Sequence, residues 1–228
     1  MTQTRNLAHP QSMKRIVLLA VLAWSVTGCS RLYYASMEKI GKEKRDILVG
    51  RILEGRKDQE EAKKQFQTTL QAFQAVTGFQ GGKLETVYNK LNDEYEDAAS
   101  RAKAVSDRIE SIERVGNDLF KEWEKEVGSM RDASLRSRSQ TMLRDTRLRQ
   151  RQYLRTMRAT ERRMQPVLEV FRDQVLFLKH NLNAKAVNSL KGVSVKLDAE
   201  VAGLVKDIEA SVAEADAFVA SLKLDEES

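Results

Sequence analysis

The sequence predicts an all-α fold, an elongated antiparallel helical bundle with a long coiled-coil hairpin, on three observations. Beyond residue 28 the only proline is Pro166, and Ala, Leu, Glu, Lys, Arg and Gln dominate, a composition that favours helix. From Leu84 onward the apolar and small residues fall at Leu84, Tyr88, Leu91, Tyr95, Ala98, Ala102, Val105, Ile109, Ile112, Gly116, Leu119 and Trp123, in unbroken steps of 4 and 3. Such a 3.5-residue repeat keeps one seam against a partner helix only if the pair supercoils. Nowhere do apolar and polar residues alternate at period two for long enough to suggest a strand.

The first element is a leader. Lys14 and Arg15 precede an apolar run from Ile16 to Val26, which ends in Thr27, Gly28 and Cys29, the 1 cysteine of the chain. The run is too short to cross a bilayer, which takes about 20 residues, and has the flanks of an export signal. Residues 1–28 are therefore expected to be a lipoprotein signal peptide, with Met13 an alternative start to Met1. Val26-Thr27-Gly28-Cys29 resembles a lipobox. That resemblance implies cleavage before Cys29, lipid on its thiol, and attachment to the membrane through that lipid. Ser30, standing where an aspartate commonly marks retention in the inner membrane, implies by the same resemblance the outer membrane, on its periplasmic side.

Residues 29–228 are expected to be a single helical domain. Tyr33 to Thr77 has helical composition and a less regular seam at Met37, Ile40, Leu48, Ile52, Ala62, Phe66, Leu70 and Phe73. Gly78, Gly81 and Gly82 mark a turn, because glycine tolerates the backbone angles that end a helix. A short connection makes antiparallel neighbours, so 31–127 reads as a helical hairpin. Gly128 ends its second arm, and Ser129-x-x-Asp132 resembles a capping box for a third helix over 129–190. That helix offers Leu135, Met142, Tyr153, Met157, Met164, Phe171 and Leu178 for burial, with a kink or break near Pro166. After Gly192 a last helix, 194–222, carries Val201, Leu204, Ile208, Ser211, Ala215, Phe218 and Leu222 on one face, widened by Val205, Val212 and Val219.

Charge is distributed unevenly. Over 131–163 there are 11 arginines against 3 acids, whereas 83–127 and 164–228 each carry an excess of 4 acids. The complementary signs predict that the arginine-rich helix lies beside acidic neighbours and otherwise faces water. Removing the signal's three basic residues lowers the formal charge from +6 to +3, no case for nucleic acid. The Arg131–Arg163 face, with Arg147, Arg151 and Arg155 along it, is the candidate for anionic ligands such as lipopolysaccharide, phospholipid or peptidoglycan, since the guanidinium fork matches anionic oxygens. Near the lipobox, alternation of Lys39, Lys42, Lys44 and Arg45 with Glu38, Glu43 and Asp46 reads as ordinary helix-surface pairing.

Four blocks, YYASMEKIGKEKRDILV at 33–49, LFKEW at 119–123, MQPVL at 164–168 and LKHNLNA at 178–184, together resemble a proteobacterial lipoprotein family catalogued as domain of unknown function twenty-nine fifty-nine. The resemblance covers nearly all of 29–228 and implies no biochemical activity. Some relatives carry an ATPase label, but the nearest approach to a phosphate-binding loop, Thr77 through Leu84, has threonine for its first glycine and leucine for its hydroxyl.

Little else in the chain suggests catalysis. His180 is the one histidine beyond the signal, and Phe177 stands where a Glu-x-x-His metal motif needs glutamate. No nucleophile elbow is present. Asn181 falls in step with Phe171, Gln174 and Leu178, so its amide is expected to face the seam as a polar layer that fixes register, or to join His180 and Asn183 in a small polar site. The expectation is a non-enzymatic protein of the cell envelope, without cofactor or metal, acting as scaffold or adaptor toward an envelope protein or another copy of itself. Binding of anionic envelope ligands by the arginine face is the alternative.

Overall fold

The computed structural model describes residues 44–227, which form helices α1 (Lys44–Thr77), α2 (Leu84–Ser129), α3 (Ala133–His180), α4 (Ala184–Ser189) and α5 (Lys191–Glu227). The chain divides into two units, Met1–Asp46 and Ile47–Ser228. Of the first, only the opening turn of α1 is described; residues 1–28, expected as a signal peptide, and Cys29, Met37 and Ile40 lie outside the described residues. The described residues contain no strand.

Cross-helix contacts fix the topology of the second unit. Arg108 pairs with Glu54, Arg101 with Glu61, and Gln65 donates to Glu94, so numbers fall along α2 as they rise along α1. The same reversal joins α2 to α3 (Glu113 with Arg158, Glu124 with Arg147), α3 to α5 (Thr156 with Glu214, Arg163 with Asp207) and α5 to α1 (Arg56 with Asp216, Gln74 with Asp198). Four long helices thus alternate in direction around a common core, with α1 and α3 on one diagonal. Across it Phe73 meets Phe171 edge-on at 6.3 Å between ring centroids. The 46 residues of α2 span about 69 Å at ~1.5 Å per residue.

All four long helices carry a heptad seam. That of α5, at Val201, Leu204, Ile208, Ser211, Ala215, Phe218 and Leu222, is buried as predicted, flanked by buried Val212 and Val219. The seam of α1 is as regular, at Leu48, Ile52, Gly55, Gln59, Ala62, Phe66, Thr69, Phe73 and Val76; Thr69 holds the place predicted for Leu70, which is only half-buried. In α2 the predicted Leu91, Ala98, Val105, Ile109, Ile112 and Gly116 are buried, whereas Leu84, Tyr88, Tyr95 and Ala102 are half-buried; beyond Gly116 the buried stripe passes to Phe120 and Val127, leaving Leu119 and Trp123 half-buried as well. In α3 the seam runs through Thr146, Gln150, Tyr153, Met157, Thr160, Met164, Val167, Phe171 and Leu178, while Leu135, predicted for burial, is 57% exposed and Met142 half-buried.

Polar seam residues tie helices together. Gln59 Nε2 donates to Ser211 Oγ at 2.8 Å, joining α1 to α5. Gln150 Nε2 donates to the Ile112 carbonyl at 3.1 Å, and its amide fills the notch at Gly116, where a Cβ would lie 1.6 Å from that nitrogen. Gly55 likewise leaves room for Ile112 and Met157, whose side chains would stand 3.0 and 3.2 Å from a Cβ. Thr69 Oγ1 lies 2.8 Å from the Glu94 carbonyl of α2, and Thr160 Oγ1 lies 3.3 Å from that of Asp207 in α5. Such contacts are satisfied in one register only, so they specify alignment where apolar layers alone tolerate slippage. The Tyr153 hydroxyl is buried with no hydrogen-bond partner among the described residues, and burial, seconded by the carboxylates of Asp216 and Asp58, pushes its pKa up and keeps it neutral.

The helix ends differ from the sequence reading in three places. Asp132, not Ser129, caps α3: its side chain accepts from the Leu135 N–H at 2.8 Å, while Ser129 Oγ donates back to the Glu126 carbonyl. α3 passes through Pro166 without a break: the lost backbone hydrogen bond is offset by the buried stripe of Met164, Val167 and Phe171, which continues past it and holds the helix against its neighbours. The interruption falls later. The third helix stops at His180 instead of 190, α4 intervenes, and the last helix runs from Lys191 to Glu227 instead of 194–222. Asparagine side chains cause the break by bonding local backbone: Asn181 Nδ2 donates to the Phe177 carbonyl at 2.9 Å, and Asn183 Oδ1 accepts from the Ala186 N–H at 3.0 Å.

Candidate functional site

Arg144, Arg147, Arg151, Arg155 and Arg158 follow one another along α3 in steps of 3 or 4, which places them on one helical stripe. The stripe borders α2, and three contiguous grooves open along it. One of about 680 Å³ is lined by Leu143, Arg144, Arg147, Leu148 and Arg151. A second, of about 370 Å³, reaches from Arg147 and Arg151 to Phe120 and Glu113, and a third, of about 480 Å³, is lined by Leu148, Arg151, Leu154, Arg155 and Arg158 together with Glu113, the carboxylate that Arg158 engages.

These guanidiniums are not equivalent. Arg147 Nη1 lies 2.7 Å from Glu124 Oε1, and the guanidinium carbon stands over the Phe120 ring, 5.1 Å from its centroid. Glu124 is held below the usual carboxylate range by that hydrogen bond and by the arginine's charge. Arg158 is likewise engaged, 2.5 Å from Glu113. Arg151 and Arg155 have no ion pair or side-chain hydrogen bond among the described residues. They stand four apart, where like charges repel, and between them and Arg147 lies Leu148, 60% exposed. The acidic neighbours expected from the charge pattern are present for Arg147, Arg158 and Arg163, and the stripe retains an unneutralised centre.

The sequence singled out Arg147, Arg151 and Arg155, and the structure brings all three to this face. Arg144 and Arg158 fall within the 131–163 face it named, and what it missed is Leu148; the repeat of arginines at 3 and 4 around a leucine was the available signal. His180, Asn181 and Asn183 do not converge on a site. His180 is exposed in the last turn of α3, and the two asparagines cap helix ends, so Asn181 is no seam layer. Among the described residues no group of three His, Cys, Asp or Glu side chains could hold a metal ion, and no helix is long and apolar enough to cross a membrane. The glycine turn between α1 and α2 links two antiparallel helices and has no preceding strand.

No curated protein and no solved structure matches this sequence. The family profile described as "Protein of unknown function (DUF2959)" matches residues 33–222, and the chain belongs to that family.

Proposed function

We propose that the protein is a non-enzymatic, lipid-anchored component of the cell envelope, held on the periplasmic side of the outer membrane through Cys29 and acting through what its outer surface binds. The observation that carries this reading is the arginine stripe of α3: Arg151 and Arg155 face outward unneutralised beside a bare Leu148, whereas the bundle's interior is filled by side chains from Leu48 to Leu222. The Lys14 to Cys29 grammar supports the anchor. In a scaffold or adaptor role the remaining outer surface of the bundle would meet an envelope protein or a second copy.

The test is metabolic labelling with a palmitate analogue and membrane fractionation of the wild-type chain and of Cys29→Ser. The expected result is a labelled wild-type protein in the outer-membrane fraction and an unlabelled variant. A wild-type protein that carries no label and fractionates with soluble proteins overturns the reading.

A further inference from the structure

The geometry points to a specific occupant for the α3 groove: a phosphate-bearing amphiphile of the membrane surface, its phosphate held by Arg151 and Arg155 and its apolar part lying over Leu148 and Leu154. Two unpaired guanidiniums one turn apart can both reach a single phosphate, whose oxygens a guanidinium fork grips in pairs. A shared anion between them also removes their mutual repulsion. Charge alone would suit any anion, but Leu148 is 60% exposed at the junction of two grooves whose floor includes Leu143 and Leu154, 6% and 7% exposed. A ligand combining a phosphate with an apolar chain satisfies both features.

Size favours a lipid over a docked protein. The grooves measure about 370, 480 and 680 Å³, within the ~300–1,000 Å³ of small-molecule sites. Position favours a membrane source. Gly55 of α1 lies against Met157 of α3, and α1 and α3 run parallel, so Ile47, two turns earlier, enters the bundle level with Arg147 to Arg151. Cys29 lies 18 residues before Ile47 in the sequence. The choice of a bilayer lipid as the source rests on the anchored reading above; the affinity of the groove for the ligand does not.

The experiment uses the full chain carrying Cys29→Ser, titrated with monomeric dihexanoyl phosphatidylglycerol, dihexanoyl phosphatidylcholine and inorganic phosphate, and followed by calorimetry. Phosphatidylglycerol is expected to bind, with Arg151→Gln/Arg155→Gln weakening it about tenfold or more and Leu148→Ser weakening it less. The apolar run at 16–26 is common to all these chains, so differences between them report on the groove. Phosphatidylcholine, whose cation offsets its phosphate, and inorganic phosphate, which lacks a chain, should both bind more weakly. Equal binding by the wild-type chain and a folded double variant overturns the proposal, as does inorganic phosphate binding as tightly as the lipid, or no binding at all. If the double variant unfolds, Leu148→Ser and the salt dependence of the wild-type titration decide: binding insensitive to both overturns it. Failure of palmitate labelling with intact lipid binding would remove the anchored reading and leave the groove standing.

Discussion

The two ends of the bundle close in opposite ways. Where α1 and α3 finish, the core holds Phe73 and Phe171 packed edge to face, both fully buried, with buried Leu91 and Leu178 on the neighbouring turns of α2 and α3. Toward the other end, beside the buried rings of Phe120, Tyr153 and Phe218, the core holds an amide in a glycine notch, Gln150 against Gly116, and the surface is a row of arginines. Aromatic carbon supplies cohesion that is indifferent to small misalignments. An amide that finds its carbonyl in one register supplies alignment, and it leaves the outer surface free to carry charge. The aromatic end also fixes register, through Thr69 against the Glu94 carbonyl, so what sets the arginine end apart is its amide notch and its charged surface.

Truncation at the aromatic end should have the largest effect. Phe171→Ala is expected to destabilise by about 3–5 kcal/mol in urea unfolding, whereas Leu148→Ala at the arginine end should change stability by no more than ~0.5 kcal/mol. Near-equal losses would abolish the distinction between the ends. Next comes the notch. Gly116→Ala places a methyl where the Gln150 amide lies and should cost about 1–3 kcal/mol; adding Gln150→Ala should recover part of the loss, because the two residues share one space. Additive losses would show that the amide is not seated in that notch. A smaller effect is expected at Tyr153. Its buried hydroxyl has no partner among the described residues, so Tyr153→Phe should leave stability within ~0.5 kcal/mol or raise it by about 1 kcal/mol, and a clear loss would reveal a bond to that oxygen.

The smallest effect is electrostatic. Because Arg147 lowers the pKa of Glu124 below its ordinary 4.5, the pair's contribution is present above that ordinary value and is lost as pH falls through the lower folded one. The carboxylate is exposed, so screening keeps the contribution small. In a comparison of wild-type and Glu124→Gln chains, any stability difference should therefore shrink on acidification and in high salt; a difference that grew would contradict the pairing.

How legible each helix was in the sequence depended on what fills its seam. In α5 every seam position from Val201 to Leu222 is apolar or small, so periodicity alone identified it. In α1 the same repeat is broken to the eye by Gly55, Gln59 and Thr69. A glycine belongs in a seam only when a neighbour such as Met157 needs the room, and a glutamine only when something like Ser211 answers it. Neither fact can be read from one helix alone. Asn181 failed for a different reason: it keeps step with Leu178, but its side chain has already turned to the backbone and ended the helix. At the candidate site, spacing identified Arg147, Arg151 and Arg155 as one stripe. Which of them is neutralised depends on the register of α2 against α3, since a heptad repeat allows alignments seven residues apart. Only with Glu124 beside Arg147 does the isolation of Arg151 and Arg155 become visible.

The turn between α1 and α2 offers a practical handle. Gly81 and Gly82 are exposed, have φ of 157° and 107°, and have no atom within 4 Å of where a Cβ would project. The turn joins the helices at the end remote from Ile47, so a fluorescent or epitope tag spliced between these glycines would leave both flanking helices capped as they are. It would report the protein's whereabouts in a living cell without touching either residues 1–29 or the arginine stripe.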